Sequence, residues 1–399
     1  MPTSEAAAEQ LRLSLPEAIN RAGQRAPELI LADLQTQQVA ARRAGAGIVL
    51  PENPRLNLEA RPAVTGGRFI GDMGYAGSVT ALFDLGGAPS ARIDEVNRDV
   101  ELAGAIRDID RIDARLRVFS AYFETQLADL RASEARRGID LAQRVLDAAD
   151  KRIDAGAAAE FERASAQVEL ARVRLQEEAA LREHEQYLMT LRDGLDLAQS
   201  VDIELTTGIE KPAELPPVAT FLQNAEQRHP DLLVIHARRR SLLATRARLN
   251  RENFPKLGLI AGVDAAPVSP IFGILGVTGE LPVAQRNQGP RAVVARELET
   301  EEARLALKQR RISRDIRRAW DAHARRISEY SLLTDAALPA AERSFDLAEG
   351  GWRAGRFDWF RVAVAARNLM EVRAARIDAL AALWSARVLL ARARGGDLP

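Results

Sequence analysis

Arg152-Ile153-Asp154-Ala155-Gly156-Ala157-Ala158-Ala159-Glu160-Phe161 is echoed about 200 residues later by Trp352-Arg353-Ala354-Gly355-Arg356-Phe357-Asp358-Trp359-Phe360. Both stretches place Ala-Gly ahead of a phenylalanine that stands at the same spacing from the glycine. The echo extends outward. Arg25-Ala26-Pro27-Glu28-Leu29 returns as Arg228-His229-Pro230-Asp231-Leu232. Glu52-Asn53-Pro54-Arg55-Leu56 returns as Glu252-Asn253-Phe254-Pro255-Lys256-Leu257, with one residue inserted. A period this long is no solenoid of short repeats. It is a tandem duplication of one large unit. Residues 15–205 form the first repeat, 218–399 the second, and 206–217 an irregular Pro- and Gly-bearing linker; residues 1–14 are an N-terminal extension.

Each Ala-Gly site lies between two long helical stretches. Residues 90–150 contain no proline and few glycines. At 1.5 Å per residue, about 60 residues make a rod of roughly 90 Å. Ile93, Val96, Val100, Ala103, Ile106, Ile109, Ile112, Leu116 and Phe119 recur at three- and four-residue steps, an apolar stripe sustained over many turns. The chain is expected to reverse near Gly156 and return through about residue 199. The second repeat runs out along 291–349, reverses near Gly355 and returns along 359–393. A tight reversal needs a residue that tolerates positive φ, and glycine does so without a Cβ penalty. Pro27 and Pro230 suit the first position of a new helix.

Upstream of each long helix the period changes to two. Residues 55–64 alternate Leu56, Leu58, Ala60, Pro62 and Val64 with Arg55, Asn57, Glu59, Arg61 and Ala63. Residues 75–85 alternate likewise, with Tyr75, Gly77, Val79, Ala81, Phe83 and Leu85 on one face, and 65–74 reads as a glycine-rich turn. In the second repeat the strands are expected at 256–266 and 271–283, across a loop holding Pro267 and Pro270. Strands of about ten residues have the length that crosses a bilayer when tilted in a barrel. Ordinary hairpins packed on helices alternate in the same way, so the pattern leaves both readings open. Four strands cannot enclose an open lumen. Membrane strands would therefore require several copies of the chain to share one barrel.

Composition narrows the classes. Lys and Arg total 56 and so do Asp and Glu, so no basic field recruits nucleic acid. Cysteine is absent, which excludes disulfides, thiolate metal sites and a cysteine nucleophile. There is no apolar run of transmembrane-helix length. The first residues carry no basic and apolar leader pattern. Aromatic content of 5% suits long Ala-, Leu-, Arg- and Glu-rich helices packed side by side rather than a thick core. His184, His229, His236 and His323 are too scattered for a helical metal site, and no GxxxxGK[ST], GxSxG or HExxH motif occurs. Neither a cofactor site nor an enzyme active site is visible.

Three junctions carry a family resemblance. Leu85-Gly86-Gly87 with Ala91-Arg92-Ile93 is similar to an LGGxxxAR junction after a first strand pair. Leu281-Pro282-Val283 with Arg286-Asn287-Gln288-Gly289 is similar to an LPxxxRNQG junction after a second pair. The turns at Gly156 and Gly355, with Phe161 and Phe360, resemble paired helical-hairpin tips. Together these resemble the TolC family of outer-membrane efflux ducts over roughly residues 12–395. The RNQG stretch points to the heavy-metal, CzcC- and CusC-like branch.

The resemblance implies a mainly α fold with a small membrane β part. A homotrimer would share a twelve-stranded barrel in the outer membrane, four strands from each chain, and its long hairpins would form an α-barrel tunnel through the periplasm. The tips would meet a periplasmic adaptor joined to an inner-membrane RND transporter, and the duct would be passive. In relatives a carboxylate often stands six residues after the tip glycine; here Glu162 keeps it and Arg361 replaces it. A Glu162–Arg361 pair between neighbouring hairpins and two unrelated solvated charges are both open readings. Trp352 and Trp359 flank the second tip, as adaptor anchors or as hairpin packing. A duct for drugs or secreted polypeptides is the alternative within the family. A soluble helical scaffold is the alternative outside it.

Overall fold

The computed structural model describes residues 10–65, 68–156, 159–212, 215–266 and 270–396. The first half runs β1 (Gln10–Leu13), α1 (Leu15–Arg25), α2 (Pro27–Ala41), α3 (Arg43–Ala46), β2 (Arg55–Thr65) and β3 (Arg68–Phe83). It continues through α4 (Ala88–Asp154), α5 (Glu160–Gly194) and β4 (Asp202–Leu205). The second half runs α6 (Val218–Arg228), α7 (Pro230–Arg251), β5 (Lys256–Ala265), β6 (Phe272–Glu280) and α8 (Gln288–Leu332). A π-helical turn at Leu333–Ala337 leads into α9 (Leu338–Arg353) and α10 (Trp359–Ala393). The fold is mainly helical, with a small β part.

The chain divides into two compact units, and both draw on both halves of the sequence. One comprises residues 32–107 and 230–308. Its sheet has the order β2-β3-β5-β6, with every neighbour antiparallel. Leu249 of α7 packs on Val294 and Leu298 of α8. Arg248 of α7 reaches Glu95 of α4 at 2.6 Å.

The strands differ from expectation at their ends. The strand expected at 75–85 begins at Arg68, and Thr65 is still in β2. The span 65–74 is therefore mostly ladder, with Pro62 paired to Met73 and Arg61 to Gly74. Glycine weakens a strand locally, but a long antiparallel partner carries the hydrogen bonding past it. The turn residues 66–67 lie outside the described residues, as do 267–269 of the second loop. β6 stops at Glu280 rather than running to 283, because Pro282 has no N–H for a ladder.

The other unit comprises residues up to 31, 108–229 and from 309 onward. The sequence reading missed a small parallel sheet here: β1 pairs with β4, Gln10 facing Asp202 and Leu13 facing Leu205. Residues 10–13 are thus part of the fold and not merely an extension. The packed interior includes Ala18, Val118, Tyr122, Leu191 and Leu195. Phe123 stacks on Trp384 with centroids 3.8 Å apart.

The described residues of the 206–217 segment are held at several points. The Thr207 N–H donates to the Tyr122 hydroxyl at 2.9 Å. The Trp384 indole donates to the Glu210 carbonyl, and Trp320 to the Pro216 carbonyl, each at 3.1 Å.

The helices lie close to expectation, with three differences. α4 spans 67 residues, and its stripe residues Val96, Leu116 and Phe119 are buried, whereas Ile93 and Ile106 remain exposed. α5 ends at Gly194, short of residue 199. The outgoing helix of the second repeat is not regular throughout. Pro339 lacks an N–H and its ring opposes the carbonyl one turn back, so the ladder slips into the π turn at Leu333–Ala337.

Candidate functional site: a two-faced sheet and two hairpin tips

The register divides the four-stranded sheet into two unlike faces. Leu56 and Leu58 of β2 lie beside Val79 and Gly77 of β3, which lie beside Ala261 and Val263 of β5, which lie beside Leu275 and Gly273 of β6. Arg55, Asn57, Glu59 and Arg61 stand on the opposite face, beside Thr80, Ser78, Ala76 and Gly74. The apolar face is the exposed one: Leu58 is 75% exposed, Leu275 86% and Val277 75%. On the other face Ser78, Thr80, Gly262 and Asp264 are half-buried, while Arg55, Asn57, Glu59, Arg61, Phe272 and Ile274 are exposed. This inverts the usual arrangement, in which a sheet turns its apolar face inward. A period of two with apolar residues on one face and polar residues on the other is the alternation that membrane barrel walls use. Both edge strands, β2 and β6, are long and lack a second partner among the described strands.

Where β3 gives way to α4, Arg92 acts as a clamp. It pairs with buried Asp84 at 2.8 Å and donates to the carbonyls of Ala46 at 3.1 Å and Ile48 at 2.7 Å. Gly87 has φ +77°, and a Cβ on Gly86 would lie 2.7 Å from Cγ of Phe254. At the second junction the positive φ, +53°, belongs to Asn287, whose side chain donates to the Leu249 carbonyl at 3.2 Å. Arg286 donates to the Pro282 carbonyl at 3.0 Å. Gly289 of the same junction has neither a positive φ nor a close neighbour, because Asn287 already makes the turn.

The tips belong to the other unit. α4 closes with the Gly156 N–H on the Ile153 carbonyl at 2.8 Å, and α9 closes with the Gly355 N–H on the Trp352 carbonyl at 2.8 Å. After the second tip Asp358 caps α10, accepting from the Arg361 N–H at 3.1 Å. The N-cap of α5 is Ala159, which has no side chain to do the same. Phe161 and Phe360 are 73% and 66% exposed. The two tryptophans are packed instead. Trp359 is buried against Ala149 and Ala166 of the first hairpin, and Trp352 packs beside Phe345 and Val362. Arg361 lies over the Phe357 ring at 5.1 Å and 3.9 Å from Asp358, while one carboxylate oxygen of Glu162 is buried without a hydrogen-bond partner. Among the described residues of one chain, Glu162 and Arg361 form no pair.

Comparison with known proteins agrees with this geometry. A model of the family described as outer membrane efflux protein matches residues 18–195. The cobalt-zinc-cadmium resistance protein CzcC of Cupriavidus metallidurans is 26% identical over 319 residues, 78% of this chain and 75% of that protein. A membrane protein from Pseudomonas aeruginosa superposes with TM-score 0.77 at 20% identity, over 96% of this chain and 90% of the other. The outer membrane protein VceC of Vibrio cholerae gives 0.75 at 15% identity, over 96% and 97%. CusC gives 0.74 at 17% identity, over 96% and 92%.

The match to the outer membrane efflux protein family covers residues 18–195 of 399, less than half of the chain. No helix among the described residues is long and apolar enough to cross a membrane. Among its described residues no group of three or more His, Asp or Glu is placed to hold a metal ion.

The sequence reading missed the ion pairs between helices, within and between the hairpins. Arg131 of α4 meets Glu183 of α5 and Asp378 of α10, each at 3.2 Å. Arg163 of α5 reaches Asp150 of α4 at 2.7 Å. Such pairs join distant stretches and leave no local signature.

The chain also buries His323 completely, with neither ring nitrogen hydrogen-bonded. Burial, aided by the charge of Arg387, pushes its pKa down to about 4.

Proposed function

We propose that three copies of this chain form a passive duct that exports heavy-metal cations. The observation that carries the duct is the two-faced sheet. Its edges β2 and β6 are open, its apolar face is exposed, and its strands are long enough to cross a bilayer. Four strands cannot enclose a water-filled lumen, but twelve can. Pairing β6 of one copy with β2 of the next satisfies both edges and turns the apolar faces to lipid. The four long helices of each chain then supply a third of a tunnel across the periplasm. Exposed Phe161 and Phe360 at the tips are offered to a periplasmic adaptor joined to an inner-membrane RND transporter, which supplies the energy. Glu162 is offered to Arg361 of a neighbouring copy, an arrangement consistent with its unpartnered oxygen and with closure at rest.

The cargo rests on the CzcC relative, whose name is a cobalt-zinc-cadmium resistance protein. The test is deletion of the gene in its own host. Loss of tolerance to cobalt, zinc and cadmium, restored by the wild-type chain, is the expected result. Unchanged metal tolerance with new sensitivity to organic compounds would move the cargo to drugs.

A further inference from the structure

α5 has two apolar faces, and the second is bare. On one side it buries Ala166, Leu170 and Val173. On the other, Phe161, Ala164, Val168, Ala171 and Leu175 follow at three- and four-residue steps, the spacing of a helix–helix seam. All five are exposed, Val168 at 69% and Leu175 at 70%. The second hairpin carries a groove between α9 and α10 with a volume of about 390 Å3. Leu347, Phe360, Arg361, Val364 and Asn368 line it, and Leu347 is 72% exposed. Contiguous exposed apolar surface of this kind marks an interaction site.

Height above the tips decides what can meet. Glu169 of α5 and Arg367 of α10 stand thirteen and twelve residues past their tip glycines and meet at 3.2 Å, so the two tips are level. At 1.5 Å per residue, Val168 lies roughly 18 Å above its tip and Asn368 roughly 20 Å above its own. Ala164 and Leu347 both lie roughly 12 Å up. Glu162 and Arg361, opposite in charge, both lie roughly 9 Å up. Copies related by rotation about an axis along the rods keep every residue at its own height. Ridge and groove then meet in register, with Glu162 opposite Arg361. A partner confined to the tips would leave Val168 and Leu175 uncovered.

From the matched ridge, groove and charges we infer that this groove seats α5 of a second copy of the chain. Ala164 and Val168 enter between α9 and α10 of the neighbour, and Leu175 continues the contact beyond the groove. Each copy gives a ridge and offers a groove, a head-to-tail contact that a rotation can close into a ring. The inference rests on the reading that copies share one duct, and it names the surface through which their helices associate.

The chain has no cysteine, so a thiol cross-link forms only where cysteine is placed. Val168→Cys with Asn368→Cys, in the full chain purified in detergent, is treated with a short bis-maleimide and run on a denaturing gel. The mass in detergent is measured on the same sample. Covalent dimers and larger species are expected. Gln167→Cys with Asn368→Cys turns the first thiol about 100° around α5, off the ridge, and should leave the chain running as a monomer. An assembly by mass in which Val168→Cys with Asn368→Cys gives no covalent dimer would overturn the seat and leave the duct standing. Equal cross-linking from Gln167→Cys, or a product linked only within one chain, would overturn the seat as well. A monomer by mass would overturn both readings.

Discussion

Gly156 and Gly355 adopt the same left-handed backbone conformation, φ +69° in each. A Cβ at either position would meet nothing within 4 Å, so the glycines are required by conformation and not by space. A residue with a Cβ held in that region costs roughly 1–2 kcal/mol. Gly156→Ala and Gly355→Ala should each lower stability by about that amount, and the double variant by about the sum. Urea unfolding followed by helical circular dichroism checks this. Gly351→Ala should cost at least as much for a different reason, because its Cβ would collide with the Phe357 ring.

The two faces of the sheet should respond differently to charge. Leu275→Arg on the apolar face should lower membrane folding by about 2–4 kcal/mol where the residue lies near the bilayer midplane. Thr278→Arg on the polar face should be nearly neutral. The measurement is the folded fraction in lipid vesicles at graded urea. Equal losses from the two variants would contradict the orientation of the sheet.

His323 should make stability fall in acid. Its folded pKa, about 4, lies below the ordinary value of 6.5, so the unfolded chain takes up the proton first as pH falls. The stabilisation is therefore full above about pH 6.5 and is lost progressively between there and pH 4, with roughly 3 kcal/mol as its limit. His323→Leu should flatten that part of the stability profile. A profile unchanged by the substitution would assign the acid sensitivity to other groups.

The proposed Glu162–Arg361 pair between copies predicts a pattern of conductance. Arg361→Glu places two carboxylates together and should raise the resting conductance. The double variant Glu162→Arg, Arg361→Glu should return it toward the wild-type value. An exposed pair is worth at most about 1 kcal/mol, so the opening is expected to be partial. Identical conductance in the wild type and Arg361→Glu would dismiss the pair.

Much of this fold was legible because it is made of long, locally consistent elements. The period of two in Leu56, Leu58 and Ala60 and the helical stripe through Leu116 and Phe119 need no tertiary knowledge. The tips were legible because only a few residues tolerate the turn that Gly156 and Gly355 make. β1 and β4 were not, since four-residue strands about 190 positions apart carry almost no periodic signal. The packing of Trp359 was open for a related reason. Sequence shows that it is aromatic and near a tip, but not that Ala149 and Ala166 of the other repeat leave room for it. The π turn depends on where Pro339 falls relative to a carbonyl one turn earlier. Arg131 joins three helices through partners that no local pattern announces.

The central claim is that copies of this chain close into one water-filled duct. The direct measurement is the mass of the purified chain in detergent together with its current in a planar bilayer. The account predicts a trimer with steps of ohmic, weakly selective conductance. A monomer or dimer that stays in solution without detergent and carries no current would contradict it.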